Sequence, residues 1–238
     1  MAERIAKFIA RSGVCSRRDA EELIKQQRVS VNGTIITSPA LNVSGDEKIL
    51  LDGEKLPCKE STRLWLYHKP TGLITTHKDT ANRATVFDNL PAELPRVISV
   101  GRLDLNSEGL LLLTNSGELA RKLELPQNRW SRRYKVRVHG FIDKKKLFAL
   151  EKGVVIDGIN YGTVKIEIES QNGTNSWLLI TLNEGKNREI RKLMNSIGLE
   201  VARLIRLSYG PFQLGNLKKG EVREVPQKVL KEQLGSKL

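Results

Sequence analysis

Apolar side chains recur at helical spacing along the first thirty residues of the chain. Gly13 suits the left-handed residue that ends a first helix, and Ser16 with Asp19 has the spacing of a capping box, which predicts the start of a second helix. The positions that form the two buried stripes are Ile5, Phe8 and Ile9, followed by Ala20, Leu23 and Ile24. Two short helices are therefore predicted in this segment.

The pattern then changes to the two-residue period of a strand. Val29 and Val31 alternate with polar residues, and Asn32-Gly33 is a strong signal for a tight hairpin turn. Asp52-Gly53 offers a second turn of the same kind. Two helices followed by a small hairpin sheet are predicted for this part of the chain.

Strand-like and helix-like stretches alternate from residue 63 onward. Strands are predicted over residues 64–68, 97–100, 110–114, 134–139, 163–169 and 177–183. Helices are predicted over residues 118–124, 143–151 and 187–197, with Asp143 as the cap of the second. Several strands separated by irregular segments favour an α+β class with a mixed, largely antiparallel sheet and flanking helices.

A short polar stretch at residues 57–62, P-C-K-E-S-T, separates these two regions and is predicted to be a linker. The net charge is +1 for residues 1–62 and +12 for the remainder, so the composition changes at the same place. We therefore expect a small domain over residues 1–60 and a larger domain over residues 63–238, each with its own core.

The charge of the chain indicates the kind of partner it binds. Lys and Arg outnumber Asp and Glu by 40 to 27, which gives a net charge of +13 and an isoelectric point near 9.8. Such a charge favours a partner rich in phosphate, because Lys and Arg neutralise phosphates and release their counterions. The longest apolar run, 110–113, is far too short to cross a membrane, and Arg4, Lys7 and Arg11 interrupt the apolar positions that a signal peptide needs. A cytoplasmic protein without a membrane partner is expected.

Motifs for several common chemistries are missing from the sequence. It has no G-x-x-x-x-G-K-[ST] or G-x-G-x-x-G loop for phosphates and no G-x-S-x-G elbow for a serine nucleophile. His68, His77 and His139 lack the spacing of metal ligands, and two cysteines are too few for a zinc site or a disulfide framework. Neither a metal nor a cofactor is expected.

One carboxylate stands out from the pattern. Asp104 lies in the sequence G-R-L-D, at the end of a predicted strand, beside Arg102 and ahead of a leucine-rich run. A carboxylate in such a place could be a functional group shielded from water. The alternative is a turn aspartate that bonds its own backbone, and the residues alone leave both interpretations open.

Residues 4–33, RIAKFIARSGVCSRRDAEELIKQQRVSVNG, resemble an S4 RNA-binding domain. The S-R-R-x-A helix start and the V-x-V-N-G hairpin occur together at the spacing of that module. The resemblance implies RNA contacts from the cations on or beside the two helices, which are Arg4, Lys7, Arg11, Arg17, Arg18 and Arg28. The alternative is an ordinary helical hairpin with a solvated charged face.

The remaining motifs resemble the RsuA/RluB-type pseudouridine synthases, over essentially the whole chain. In order they are HKPTG, VGRLDLNSEGLLLLTNSGELA, RRYKVRV, NEGKNREIRKLM and RLIRLSYGPF. The form N-R-E-I-R-K in the fourth motif looks like the branch that acts on 23S rRNA, whereas the 16S branch usually has a form like Y-H-Q-V-K-R. The resemblance implies an isomerase that converts a specific uridine of 23S rRNA to pseudouridine without a cofactor, and a monomer with no obligate protein partner.

The resemblance also assigns roles to individual residues. Asp104 is implied as the catalytic aspartate, Tyr134 as the tyrosine that stacks on the flipped base, and Arg191 as the arginine that pairs with Asp104. Arg102 is implied to fill the space that the extruded base leaves. The positions implied as walls of the substrate pocket are Lys69, Gly72 and Leu204.

Further RNA contacts are expected from two basic segments of the larger domain. Their cations are Arg129, Arg132 and Arg133, together with Lys186, Arg188 and Lys192. Alternation along a strand means that only some of the first group can face RNA. Two rival hypotheses stay open: a non-catalytic RNA-binding factor for ribosome assembly, and a synthase with 16S rRNA specificity. The sequence also leaves open whether Asp104 attacks C1′ or removes a proton at C2′ through a glycal intermediate.

Overall fold

The computed structural model describes residues 2–58 and 60–235, which divide into two compact units. The smaller unit comprises the chain up to Arg63 together with Glu93–Ile98 and Asn115–Gly117. The larger unit comprises Leu64–Ala92, Ser99–Thr114 and the chain from Glu118 onward.

The smaller unit contains the two predicted helices and hairpin strands. The Ser16 hydroxyl accepts from the Asp19 amide at 3.1 Å and the Asp19 carboxylate accepts from the Ser16 amide at 3.3 Å, so the predicted capping box is confirmed. The Asn32-Gly33 turn is confirmed between the second and third strands. The elements are β1 (Glu3–Arg4), α1 (Ile5–Arg11), α2 (Arg17–Lys25), β2 (Val29–Val31), β3 (Thr34–Ile35), β4 (Asn42–Val43), β5 (Ile49–Leu51) and β6 (Glu54–Lys55).

The core of the smaller unit is the apolar stripe that the helical spacing predicted. Ile5 and Ile9 of α1 pack with Ala20 and Ile24 of α2, and Val29 of β2 joins them. Burial of this stripe holds the two helices on the small sheet, which has the order β3-β2-β5-β6.

The larger unit is built on a sheet of mixed direction with four described α-helices beside or around it. Among the described residues, none of the helices has the length and hydropathy of a membrane span. The helices are α3 (Gly117–Glu124), α4 (Lys144–Ala149), α5 (Glu189–Asn195) and α6 (Gln227–Leu234) with 3₁₀ turns at Phe87–Asn89, Pro126–Asn128 and Leu150–Lys152. The strands are β7 (Leu64–Lys69), β8 (Ile98–Val100), β9 (Glu108–Thr114), β10 (Arg132–His139), β11 (Val154–Ile156), β12 (Ile159–Tyr161), β13 (Val164–Asn172), β14 (Asn175–Leu182), β15 (Glu200–Tyr209), β16 (Phe212–Gln213) and β17 (Val222–Glu224).

Within the described chain the large sheet has nine strands. Seven follow the path β13-β14-β10-β15-β9-β7-β17, while β16 pairs with β15 and β8 pairs with β9 beside it. The pair β9 and β15 is parallel, and the other pairs along this path are antiparallel. Strand β9 lies near the middle, and its run Leu110, Leu111, Leu112 and Leu113 has no solvent exposure. A strand that is buried on both faces has apolar residues at consecutive positions, and this explains the leucine-rich stretch of the sequence.

The six strands and three helices predicted after residue 63 are present within a few residues of their predicted bounds. Strand β15 was missed, although it pairs with both β9 and β10. Its buried positions include Arg206 and Ser208, and two bulges interrupt its register with β10, so its apolar alternation is broken. The hairpin β11–β12 and helix α6 were also not predicted.

Gly109 permits the close parallel approach of β9 and β15. Its φ is +104°, and a Cβ atom at this position would lie 2.3 Å from the Arg206 carbonyl oxygen and 2.6 Å from the Arg206 nitrogen. Both are backbone atoms in the centre of the sheet, so they cannot move aside without separating the strands.

Gly109→Ala is therefore expected to reduce the free energy of unfolding by about 3 kcal/mol or more, measured by urea denaturation. The matched control is Gly158→Ala in the turn between β11 and β12, where φ is +74° and nothing lies within 4 Å of the new Cβ. That change carries only the left-handed backbone strain of about 1 kcal/mol. Equal losses for the two variants would contradict the argument from close approach.

Candidate active site

A cavity of about 240 Å³ lies on the large sheet of the larger unit. Tyr134 of β10 is opposite Arg206 of β15 in the register, and both line the cavity with Leu204. Alternate residues of a strand share a face, so these side chains form its floor. Two turns form its walls: residues 101–107, before β9, and residues 183–188, before α5. A cavity of this size suits one small ring system better than a length of polymer.

Seven of the residues selected from the sequence line this cavity. Those implied at the centre of the site are Asp104, Tyr134, Arg102 and Leu204. Those expected to contact RNA are Arg132, Lys186 and Arg188. Tyr134 is 8% exposed, and Asp104 is partly exposed in its turn. The fold thus brings an aspartate, a tyrosine and several cations from distant parts of the sequence to one cavity.

The turn that carries Asp104 is held through its backbone. The Ser107 amide donates to the Asp104 carbonyl at 3.0 Å, and the Gly72 amide donates to the Leu105 carbonyl at 2.9 Å. The Thr75 hydroxyl donates to the Leu103 carbonyl at 2.9 Å. Within the described residues these hydrogen bonds involve backbone carbonyls of the turn, and none of them involves the Asp104 carboxylate, which is available to the cavity. This favours the functional interpretation of Asp104 over that of a turn aspartate bonded to its own backbone.

Lys69 and Gly72 are not brought to the cavity wall, where the resemblance implied them. Lys69 is fully buried, and its ammonium donates to three carbonyls of the surrounding chain: Pro70 at 3.0 Å, Asp104 at 3.1 Å and Ser107 at 2.9 Å. Both residues therefore support the Asp104 turn from behind.

Burial lowers the pKa of the Lys69 ammonium to about 8, against the opposing attraction of Asp104 and Glu108. Arg206 lowers the pKa further, since it adds a second positive charge. Three carbonyl acceptors are what allow a charged amine to remain in this place.

Arg191 is not among the residues that line the cavity, although α5 lies beside it. Its guanidinium donates to the Val201 carbonyl and to the Asn106 carbonyl, each at 2.9 Å. Burial lowers the pKa of Arg191, as does Arg188, while the charge of Asp104 acts in the opposite direction. Arg191 therefore supports the Asp104 turn at Asn106 and adds positive potential near its carboxylate.

Two arginines, Arg132 and Arg206, lie against the ring of Tyr209 at the cavity floor. The Arg132 guanidinium donates to the Tyr209 hydroxyl at 2.9 Å and lies 4.6 Å from the centre of its ring. Arg206 lies 5.3 Å from the same ring, and its Nε donates to the Leu110 carbonyl at 2.6 Å. The Tyr209 hydroxyl in turn donates to the Leu123 carbonyl at 3.0 Å. These contacts fix two positive charges in the cavity that Asp104 also lines.

Sequence reasoning did not select several residues that also line the cavity, among them Ser107, Glu189 and Arg206. Arg206 could have been found only by recognising β15, where it occupies an inward position. Glu189 is an acid within the basic segment N-R-E-I-R-K, and that contrast was the available signal.

The basic residues predicted to bind RNA in the smaller unit mostly have acidic or carbonyl partners. Lys7 and Arg11 pair with Glu3, and Arg17 pairs with Glu21. In the same unit Arg28 binds Asp52 through two bonds, of 2.8 and 2.6 Å, and Arg4 donates to the Ala40 carbonyl. Arg18 is exposed and has no ion pair among the described residues.

The remaining predicted RNA contacts lie on the larger unit. Arg129 and Arg133 are exposed, Arg129 in a left-handed conformation with φ of 45°. Lys192 is half-buried on α5. None of these three lines the cavity, so any contact they make with RNA lies outside it.

Comparison with known proteins identifies the family. A sequence profile described as RNA pseudouridylate synthase matches residues 63–196, and an S4 domain profile matches residues 3–49. An RNA pseudouridine synthase of Rickettsia bellii (strain RML369-C) is 53% identical over 229 residues, which cover 96% of this chain and 99% of the relative. The chain therefore belongs to the RNA pseudouridylate synthase family, whose members are intramolecular isomerases, and it carries an S4 domain.

Two further similarities extend this result. A protein of Yersinia pestis named ribosomal large subunit pseudouridine synthase B is 42% identical over 220 residues, covering 90% of this chain and 69% of the relative. A solved structure titled crystal structure of pseudouridylate synthase superposes with a TM-score of 0.69 at 26% identity, covering 97% of this chain and 99% of that one. The predicted α+β class with a mixed, mostly antiparallel sheet is confirmed.

Lys69→Met is expected to slow turnover by about a hundredfold, because loss of the ammonium frees the turn of Asp104, which the resemblance implies as the catalytic aspartate, and small displacements of a catalytic group are costly. The three carbonyls would lose their donor, which should also cost about 2 to 4 kcal/mol of unfolding free energy. Single-turnover kinetics and urea denaturation measure the two effects. Lys165→Met on β13, where the lysine is exposed, is the control. Wild-type turnover by Lys69→Met would show that the Asp104 turn does not need this support.

Proposed function

We propose that this chain converts one uridine of 23S rRNA to pseudouridine, with Asp104 as the catalytic group. The observation that carries the proposal is that Asp104 and Tyr134 line one cavity together with five cationic side chains, which are Arg102, Arg132, Lys186, Arg188 and Arg206. The name of the Yersinia pestis relative, a ribosomal large subunit synthase, supports the choice of the large-subunit RNA. A ribosomal substrate would place the reaction in the cytoplasm.

The reaction breaks the bond between N1 and C1′, rotates the uracil and rejoins it to the ribose through C5. No water is consumed, so one carboxylate is sufficient, whereas a glycosidase needs a second carboxyl group to activate water or to protonate the leaving group. Uracil leaves as a stabilised anion, and Asp104 acts either as the nucleophile at C1′ or as the base at C2′. In both routes its negative charge stabilises the positive charge that develops on the sugar.

The target base must leave its stack to reach Asp104. Flipping a base costs a few kcal/mol, and stacking on an aromatic ring recovers part of that cost. Tyr134, largely buried at the cavity floor, is the residue in place to stack on the uracil. Arg102, exposed at the edge of the cavity, is in place to fill the gap that the base leaves in the RNA.

The cations of the cavity have a separate role from the chemistry at C1′. Lys186 and Arg188 lie in the wall formed by the turn 183–188, where phosphates on either side of the flipped nucleotide would pass. Arg132 is oriented by Tyr209 and supplies a third positive group. Phosphate contacts position a nucleic acid and carry little sequence information, so we assign selection of the uridine to the shape of the surrounding RNA.

Asp104→Asn is expected to abolish isomerisation and to leave the affinity for rRNA within about twofold, since a neutral amide cannot act as nucleophile or base. The assay uses 23S rRNA transcribed with uridine tritiated at C5, because the C5 hydrogen is lost to water when C5 joins the ribose. Wild-type enzyme should release one equivalent of tritium per site, and none from a 16S transcript.

The matched control for this change is Asp143→Asn. Asp143 accepts from the amides of Lys145 and Lys146 as the N-cap of α4, and asparagine caps a helix equally well. This variant should release tritium at the wild-type rate. Tritium release by Asp104→Asn at a similar rate would refute the assignment of Asp104.

Arg18→Ala is expected to weaken rRNA binding and to reduce the slope of log affinity against log salt by about 1, because Arg18 is exposed, has no ion pair among the described residues and can bind a phosphate. Arg28→Ala is the comparison, and its effect should be smaller because Asp52 already neutralises that guanidinium. Filter binding of 23S rRNA at several salt concentrations measures both slopes. A larger change for Arg28→Ala would contradict this account of the RNA-binding face.

A further inference from the structure

Two glutamates lie at the turn before α5, where Glu189 lines the cavity, and the mechanism proposed for the reaction uses neither. Glu184 lies in the turn 183–188, and Glu189 is the first residue of α5 and is only 3% exposed. The Gly162 amide donates to Oε1 of Glu184 at 2.8 Å, and the Lys186 ammonium pairs with Oε2 of Glu184. The Lys186 amide donates to Oε2 of Glu189 at 2.9 Å.

One oxygen of this group has no donor among the described residues. Oε1 of Glu189 is buried from solvent. The carboxyl groups of Glu189 and Glu184 lie within hydrogen-bonding reach of each other. Two carboxylates in contact cannot both be ionised, because like charges repel strongly where water is excluded. A buried carboxyl oxygen facing another carboxylate is satisfied only when a proton lies between the two.

We propose that Glu184 and Glu189 share one proton, and that this acid pair holds the 183–188 turn as a wall of the cavity. The proposal makes both glutamates positioning residues, acting through Lys186 and Arg188. Its catalytic consequence rests on the proposed function, while the shared proton itself does not.

The surroundings of the pair agree with a proton that is retained near neutral pH. Burial raises the pKa of Glu189 to about 7, and its contact with Glu184 raises it too, against the lowering by the Lys186 amide and ammonium. The pKa of Glu184 is lowered, because its hydrogen bonds from Lys186, Gly162 and Glu189 outweigh its burial. The proton therefore belongs mainly to Glu189, which donates to an ionised Glu184.

Charged groups reach this pair from each neighbouring element. Those of its own segment are Lys186 and Arg188, and Lys186 also lies 5.6 Å from the ring centre of Tyr161 on β12. From β10, the Arg132 guanidinium carbon lies 3.6 Å from where a Cβ of Gly185 would be. Across the cavity are Arg102 and Asp104.

RNA binding and protonation of the pair should be linked. A phosphate at Lys186 or Arg188 brings negative charge to the wall and competes with Glu184 for the lysine, so it favours the protonated pair. By reciprocity, loss of the proton weakens RNA binding. In the absence of RNA the raised pKa also means that the folded state binds more protons than the unfolded state between pH 4.5 and about 7, so this group's contribution to stability falls as pH rises through that window.

The proton is tested directly by ¹³C NMR of full-length protein labelled at glutamate carboxyl carbons. The wild-type chain should show one glutamate that titrates at about 7. That resonance should be absent in Glu189→Gln, whose amide donates to Glu184 without titrating. In Glu184→Gln the titration of Glu189 should move to lower pH, because the like charge is removed. Glu167→Gln, at an exposed position on β13, should leave it unchanged.

The positioning role is tested by the pH dependence of KM with 23S rRNA. The ratio of KM at about pH 8.5 to that at about pH 6 should be roughly threefold or more for wild type and near one for Glu189→Gln. A wild-type spectrum in which every glutamate titrates below about pH 6 would overturn the shared proton, whatever the RNA substrate. Equal KM ratios for wild type and Glu189→Gln would overturn the positioning role.

Absence of tritium release from 23S rRNA by wild type would refute the proposed function and leave the NMR result standing.

Discussion

A single buried ammonium group organises the candidate active site. Lys69 ends β7 with no solvent exposure, and its three hydrogen bonds tie the chain at Pro70 to the turn at Asp104 and Ser107. Arg191 holds the same turn at Asn106 from the side of α5. Because Lys69 and Arg191 hold this turn through its backbone carbonyls, the Asp104 carboxylate remains available to the cavity. A flexible turn would have to order itself in each reaction cycle, at a cost in rate.

The pattern of apolar residues predicted most of the fold, and motif resemblance predicted much of the cavity. The capping box at Ser16 and the Asn32-Gly33 turn are local features, and local sequence is sufficient to define them. Strand β15 was missed because its inward positions include Arg206, which is tolerated there only through its bond to Leu110 and its contact with Tyr209. Such partners come from distant parts of the chain, so tertiary structure is needed to recognise the strand.

The same limit explains the residues whose positions differ from expectation. Sequence resemblance implied that Lys69 forms the pocket wall and that Arg191 pairs with Asp104, whereas the structure has both side chains bonded to backbone carbonyls. The count of 40 lysines and arginines also overstates the free cations, since Glu3, Glu21 and Asp52 already pair with arginines or lysines of the smaller unit. Charge composition predicted the class of partner, while the ion pairs decide which cations remain free to bind it.

The central claim is that Asp104, held in this turn, isomerises one uridine of 23S rRNA. The most direct measurement is pseudouridine mapping, by carbodiimide modification and reverse transcription, of 16S and 23S rRNA from cells that lack the gene. The account predicts one missing site in 23S rRNA that wild-type protein restores and Asp104→Asn does not. No missing site in 23S rRNA, or restoration by Asp104→Asn, would contradict it.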